Sequence, residues 1–241
     1  MMFRRKRERR ARKRVAVYGA CPGSGAAFVS LALAWGMTLE GAGGGEVSLI
    51  ELGPGKLYAA LDLDARFGAG GFRAYEDELT EMKGVGDVDN RLYGIRLLAR
   101  RRNGRELGEA ELMRAAHSVP GESCVLCCSG LPEELGFQVL AAAERRVLVV
   151  DPLPSKLASC FSAIGRFRLD FPDGIIAVNR MNPGVYRGEL RELLGTADWS
   201  EIPALPAELI YRAEYSASPV FELKKAAPIL RQPVLELLGR L

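Results

Sequence analysis

Arg14–Met37, RVAVYGACPGSGAAFVSLALAWGM, reads as a β-strand, a glycine turn and a helix in immediate succession. Val15, Ala16, Val17 and Tyr18 form a short apolar run, a Pro-Gly-Ser-Gly turn follows, and the residues from Ala26 on are good helix formers. A loop of this kind binds phosphate by aiming successive backbone N–H groups at its oxygens, with the positive end of the next helix behind them. Gly23 and Gly25 supply the backbone freedom that this needs. The full motif adds, directly after its last glycine, a lysine that reaches the β- and γ-phosphates and a Ser or Thr that holds magnesium. Those two positions are Ala26 and Ala27. The stretch keeps the backbone pattern of a phosphate-binding loop without its side-chain chemistry.

Outward from this stretch, aliphatic runs at 47–51, 91–99, 124–128, 147–150 and 175–178 read as further strands. Helices are expected over 24–39, 75–83, 107–117, 131–143 and 186–194, and the last 21 residues read as two helical pieces broken at Pro228 and Pro233. Strands alternating with helices at this spacing predict an α/β fold, a three-layer sandwich with a mostly parallel central sheet like that of P-loop NTPases. Residues 15–20, 47–51, 124–128, 147–150 and 175–178 are expected to be parallel neighbours. Ligands of such sheets sit at the carboxyl ends of the strands, where the glycine loop, Gly53, Cys128, Asp151 and Asn179 would gather.

A chain of 241 residues, 48% hydrophobic and 26% charged, is an ordinary globular chain. It divides into a basic N-terminal arm, 1–14, and a single α/β domain, 15–241. The arm from Arg4 to Arg14 sets nine basic side chains against Glu8, a net of +8, which leaves −5 on the rest of a chain whose total is +3. An acidic body behind a basic arm fits contact with DNA or an anionic membrane, and equally a solvated tail. The arm and the apolar run after it do not make a secretory signal or a membrane anchor, because Pro22-Gly23-Ser24-Gly25 interrupts the run.

Five cysteines without framework spacing suit a reducing cytoplasm. Cys124 and Cys127, three apart along a strand, point to opposite faces and cannot share one metal ion. His117, the sole histidine, ends a helix with no nucleophile near it in sequence and reads as structural. Asp151 reads as a loop or capping residue. Arg100–Arg105 reads as a solvated basic turn, or as a second anionic anchor if it lies on the same side as the arm.

The chain resembles the MinD/ParA family of deviant P-loop ATPases from about Val15 to the last helix. The family's K-G-G-x-G-K-T box falls on Cys21, Pro22, Gly23, Ser24, Gly25, Ala26 and Ala27, of which only two glycines survive. EVSLIELGPGKL is similar to the family's V-L-L-I-D-x-D-x-Q-G, with Glu51 and Gly53 at the acids. Residues 123–128 stand at V-I-I-D-x-P, with Cys128 at the aspartate. Residues 146–157 resemble L-L-V-V-x-P-D-x-x-S-L, and GIIAVNRM is similar to V-x-N-R, whose asparagine recognises adenine. That places a nucleotide on Cys21 to Ala27 with Asn179 and Arg180. Ile202-Pro203 and Ser218-Pro219-Val220 resemble the family's tail, with Leu205 in place of an acid.

The resemblance implies a site without catalytic residues or metal ligands, at which ATP or ADP would bind weakly. Two functions stay open: a non-catalytic MinD/ParA-like protein that localises or regulates a partner complex, and a nucleotide-dependent partitioning or localisation ATPase with a rebuilt metal site. A third is a thiol sensor pairing Cys21 with Cys128. A protein partner and a homodimer are implied, in the cytoplasm or peripherally at membrane or nucleoid. Deleting the residues before Val15 should abolish both sedimentation with anionic vesicles and retardation of DNA, interactions that in the full chain should weaken steeply from low to moderate salt. If both survive the deletion, the anionic contact belongs to Arg100–Arg105.

Overall fold

Aliphatic runs buried on both faces decide the architecture, because only a parallel sheet covered by helices can hide them twice over. The computed structural model describes residues 13–40, 45–68, 71–79 and 84–241. The basic residues 4–12, the glycine run at 41–44 and the end of the expected acidic helix at 80–83 lie outside the described residues. The strands are β1 (Lys13–Gly19), β2 (Val47–Glu51), β3 (Arg91–Leu92), β4 (Ile95–Leu98), β5 (Ser123–Cys127), β6 (Arg145–Val150), β7 (Ile175–Met181) and β8 (Ser200–Pro203). The helices are α1 (Ala26–Glu40), α2 (Lys56–Ala60), α3 (Leu63–Phe67), α4 (Tyr75–Glu78), α5 (Glu109–Ser118), α6 (Glu133–Ala142), α7 (Pro154–Ser159), α8 (Phe161–Asp170), α9 (Arg187–Leu194), α10 (Ala207–Tyr215) and α11 (Ala227–Gly239).

The sheet runs β3-β4-β2-β5-β1-β6-β7-β8, antiparallel only between β3 and β4. The five strands expected as parallel neighbours are its contiguous centre, β2-β5-β1-β6-β7. Alternation along each strand feeds two cores. Val15, Val17, Val147 and Val149 pack with α1, α2, α3, α10 and α11, while Ala16, Tyr18, Leu148 and Val150 pack with α4 to α9. Cys124 and Cys127 fall in opposite cores, as their spacing requires.

Three expectations need correction. The run at 91–99 is a hairpin, not one strand: Tyr93 and Gly94, at φ 54° and 77°, make the two-residue turn that joins β3 to β4. The C-terminal stretch is not two pieces but one helix, α11, with Pro228 in its first turn, where an N–H has no partner to lose. Pro233 lies inside α11, offset by burial of Leu230, Val234, Leu237 and Leu238. β1 begins at Lys13, because Lys13 and Arg14 pair with Ser123 and Cys124 and Arg14 donates to the carbonyl of His117. A truncation that spares the sheet therefore ends at residue 12. The basic turn at 100–105 is largely exposed, as read from sequence, although Arg100 donates to the carbonyls of Leu52 and Arg105, and Arg105 to those of Glu76 and Leu79 while pairing with Glu111.

No helix among the described residues is long and apolar enough to cross a membrane. α1 is apolar nearly all round because it is covered twice, by the sheet and by α11. A Cβ on Gly36 would stand 2.6 Å from Val234 Cγ1 and 2.7 Å from Leu238 Cδ1, so the two helices approach at glycine distance. Trp35 stacks on Phe221 with ring centroids 4.8 Å apart. Leu237→Ala should lower unfolding stability by about 2–5 kcal/mol, the usual range for a fully buried leucine, read from the urea midpoint. An unchanged midpoint would mean that α11 is not part of the core.

Candidate functional site

The loop between β1 and α1 is built as a turn and then strapped to β7. Ser24 N donates to Cys21 O at 3.2 Å across Pro22 and Gly23, and Gly23 has φ +78°, the pattern of a type II turn. Gly25, at φ +94°, leads into α1, whose Val29 N returns to Gly25 O at 2.9 Å. Asn179 Nδ2 donates to Ser24 O at 2.9 Å, and Arg180 donates to Gly23 O at 2.9 Å. A Cβ on Gly25 would lie 2.1 Å from Asn179 Nδ2, which is why glycine is needed there. Arg180 itself sits at φ 65°, beside the irregular register of β7 against β8. Such backbone strain in a bulky residue persists where its surroundings over-determine it.

Asp151 anchors the strap. Its carboxylate is buried, accepts from Leu153 N at 3.1 Å, and pairs with Arg180 and, at 3.5 Å, with Lys156. It is a loop-bracing residue, close to the role read from sequence. Lys156 Nζ also stands 3.0 Å from where a Cβ on Gly23 would be, so this lysine borders the loop from α7.

The second acid is turned away from the loop. Glu51 is fully buried, and its Oε1 accepts from Lys56 N at 2.8 Å and Leu57 N at 3.0 Å, capping α2. Its Oε2 has no partner. Burial pushes the carboxyl up to about 7 against the pull of those two amides. Gly53, at the other acid position of the resemblance, cannot carry a side chain at all. A Cβ there would stand 1.9 Å from the backbone oxygen of Ser129.

The cysteines are rearranged relative to expectation. Cys128 packs in the core opposite α1, whereas Cys127, paired with Val17 and Glu51, packs in the core that α1 covers, near Ser30. A shift of one residue along a strand changes the face, so the residue facing α1 at the end of β5 is Cys127. The thiol that meets Cys21 is Cys160, at the α7–α8 junction, whose pKa burial and this neighbour push up to about 12. No disulfide joins any two of the five cysteines. His117 is exposed, and its Nδ1 bonds Met113 O at 2.7 Å, a structural role.

Between the loop and β8 lies a cavity of about 320 Å³. Gly25, Ala27, Asn179 and Arg180 line one side, Lys56 and Leu57 another, and Phe28, Leu205 and Ile210 give it apolar walls. The structure thus brings Cys21 to Ala27, Asn179 and Arg180 together at the carboxyl edge of the sheet. Lys56 and Lys156 are not among the residues singled out from sequence; a lysine directly after Gly53-Pro54-Gly55 at a strand end is the signal that marks Lys56.

Solved structures that match this one run the length of the chain. A ParA family ATPase from Chlorobium tepidum TLS superposes with TM-score 0.66 at 14% identity, over 96% of this chain and 100% of its own. The chain has the MinD/ParA ATPase fold. The septum site-determining protein MinD from Pyrococcus horikoshii OT3, complexed with Mg-ADP, matches at TM-score 0.66 and 14% identity, over 93% and 95% of the two chains. The MinC:MinD cell division protein complex of Aquifex aeolicus matches at 0.65 and 18%, over 94% and 96%. No protein-family model and no curated protein matches the sequence.

The Glu51 shift fixes a pH dependence of the MinD/ParA-like body. A folded pKa near 7 against 4.5 for the free group means that the native state holds its proton longer. Its contribution is full below about pH 4.5 and is lost as pH rises through 7, a fall of roughly 3 kcal/mol at most. Glu51→Gln, which keeps the accepting oxygen, should remove that part of the slope between urea unfolding at pH 5 and at pH 8. An unchanged slope would show that the carboxyl is not the group responsible.

Proposed function

We propose that this chain is a non-catalytic protein of MinD/ParA fold that localises or regulates a partner complex, with a weak adenine-nucleotide site at Cys21, Pro22, Gly23, Ser24, Gly25, Ala26, Ala27, Asn179 and Arg180. The observation that carries this reading is the disposition of two buried acids at the strand ends: Glu51 is engaged by the amides of α2, and Asp151 by Arg180 and Leu153. Phosphoryl transfer depends almost wholly on charge placed around the transferring group. Ala26 offers no cation, Ala27 no hydroxyl, and position 53 has no room for a carboxylate. Among the described residues, no group of three or more His, Cys, Asp or Glu is placed to hold a metal ion.

A nucleotide fits better than magnesium does. The loop offers backbone amides and the cavity offers apolar walls, whereas Glu214 is the single carboxylate among its lining residues. A protein partner is the reading favoured by a second groove of about 350 Å³, lined by Leu153, Leu157, Tyr186 and Leu190, with Leu153 and Tyr186 strongly exposed. The proposal keeps a single domain from about Val15 to the end, with the basic arm as its peripheral tether to an anionic surface, in the cytoplasm.

The purified full chain should hydrolyse neither ATP nor GTP above background in magnesium buffer. Magnesium-dependent turnover that Glu51→Gln or Asp151→Asn abolishes would overturn the non-catalytic reading in favour of an ATPase with a rebuilt metal site.

A further inference from the structure

One cation of the cavity, Lys56, is in no ion pair among the described residues, although the carboxylate of Glu214 lines the same cavity. Lys56 is the first residue of α2, and the turn before it is fixed by close backbone contacts: a Cβ on Gly53 would stand 1.9 Å from Ser129 O, and one on Gly55 2.4 Å from Arg100 O. Glu51 then holds Lys56 N at 2.8 Å. The side chain is exposed, its Nζ is 3.4 Å from Ser129 Oγ, and no carboxylate pairs with it among the described residues. It lines the same cavity as Gly25, Ala27 and Asn179.

The chemistry gathered there is specific. The amides that open the fifteen-residue helix α1 have no intrahelical partner and favour an anion. Lys56 adds an ammonium to the lining of the same cavity, its Nζ 3.4 Å from Ser129 Oγ, and Phe28, Leu205 and Ile210 supply an apolar wall. Amides and an ammonium take a phosphate; the wall takes a ring joined to it. Arg180 is less free for this task, because its guanidinium already holds Asp151 and Gly23 O.

We propose that Lys56 is the phosphate-binding cation of this cavity, and that it takes the charge of a nucleoside phosphate without a divalent metal ion. The lysine of an ordinary loop would come from position 26, which here is a buried alanine. The inference rests on the nucleotide reading of the site given above.

The test is calorimetric titration of the full chain with ADP and with pyrophosphate, in magnesium buffer and in EDTA. Binding should have the same affinity in both buffers. Lys56→Ala should weaken it about ten- to a hundredfold, the loss expected for one charge-assisted contact. Lys56→Arg should restore most of it, and Lys225→Ala, an exposed lysine outside the cavity, should leave it unchanged. Thermal melts of each variant without ligand check that the fold is intact. Binding that needs magnesium, binding that Lys56→Ala leaves untouched, or no binding of either probe would overturn the proposal. Turnover of ATP by a chain that still needs Lys56 would sink the non-catalytic reading and leave this one; silence in both assays would do the reverse.

Discussion

Two carbonyl oxygens, those of Gly23 and Ser24, are held by the last residues of β7, and the arrangement of the whole carboxyl edge depends on that grip. A glycine-rich loop needs something to hold its backbone in one arrangement. Here the amide of Asn179 and the guanidinium of Arg180 do so from the neighbouring layer, and Asp151 holds Arg180 in turn. Each contact is a modest hydrogen bond, but the chain of them is buried at one end and charge-assisted, which strengthens every link. Removing Asp151 would leave a guanidinium without its counter-charge and a loop without its brace.

The same edge shows an acid engaged by the fold itself. Glu51 stays at the end of β2 and turns its oxygen to the first amides of α2. A helix of five residues has little stability of its own, so a carboxylate at its start is worth keeping for structure alone. The orphan Oε2 and the raised pKa are the penalty of burying that cap.

What was legible in the sequence follows from these physical differences. The five central strands are plain because each is buried on both faces and reads as an unbroken aliphatic run, as in VLVV of β6. β8, Ser200–Pro203, lies at the sheet edge and has too few aliphatic residues to announce itself. The hairpin hides because Tyr93 is not a usual residue for a left-handed turn, and α11 hides because two prolines read as breaks although packing overrides one of them. In the site, the backbone of the loop was legible and the wiring around it was not. Arg180 to Gly23 and Asn179 to Ser24 join residues more than 150 positions apart, and no local pattern encodes them.

The close approach of Gly53 to Ser129 also governs how this site can change. Most lost side chains can be regained by one codon change, because the space they occupied remains or is filled only by water. Here the space has been filled by the backbone of the loop after β5, with Pro54 packed on Gly130 beside it. An acid at position 53 would first have to displace a main-chain carbonyl, so the substitution acts on two loops and not on one. The two loops are therefore interlocked at this point: neither can take a bulkier residue unless the other moves with it.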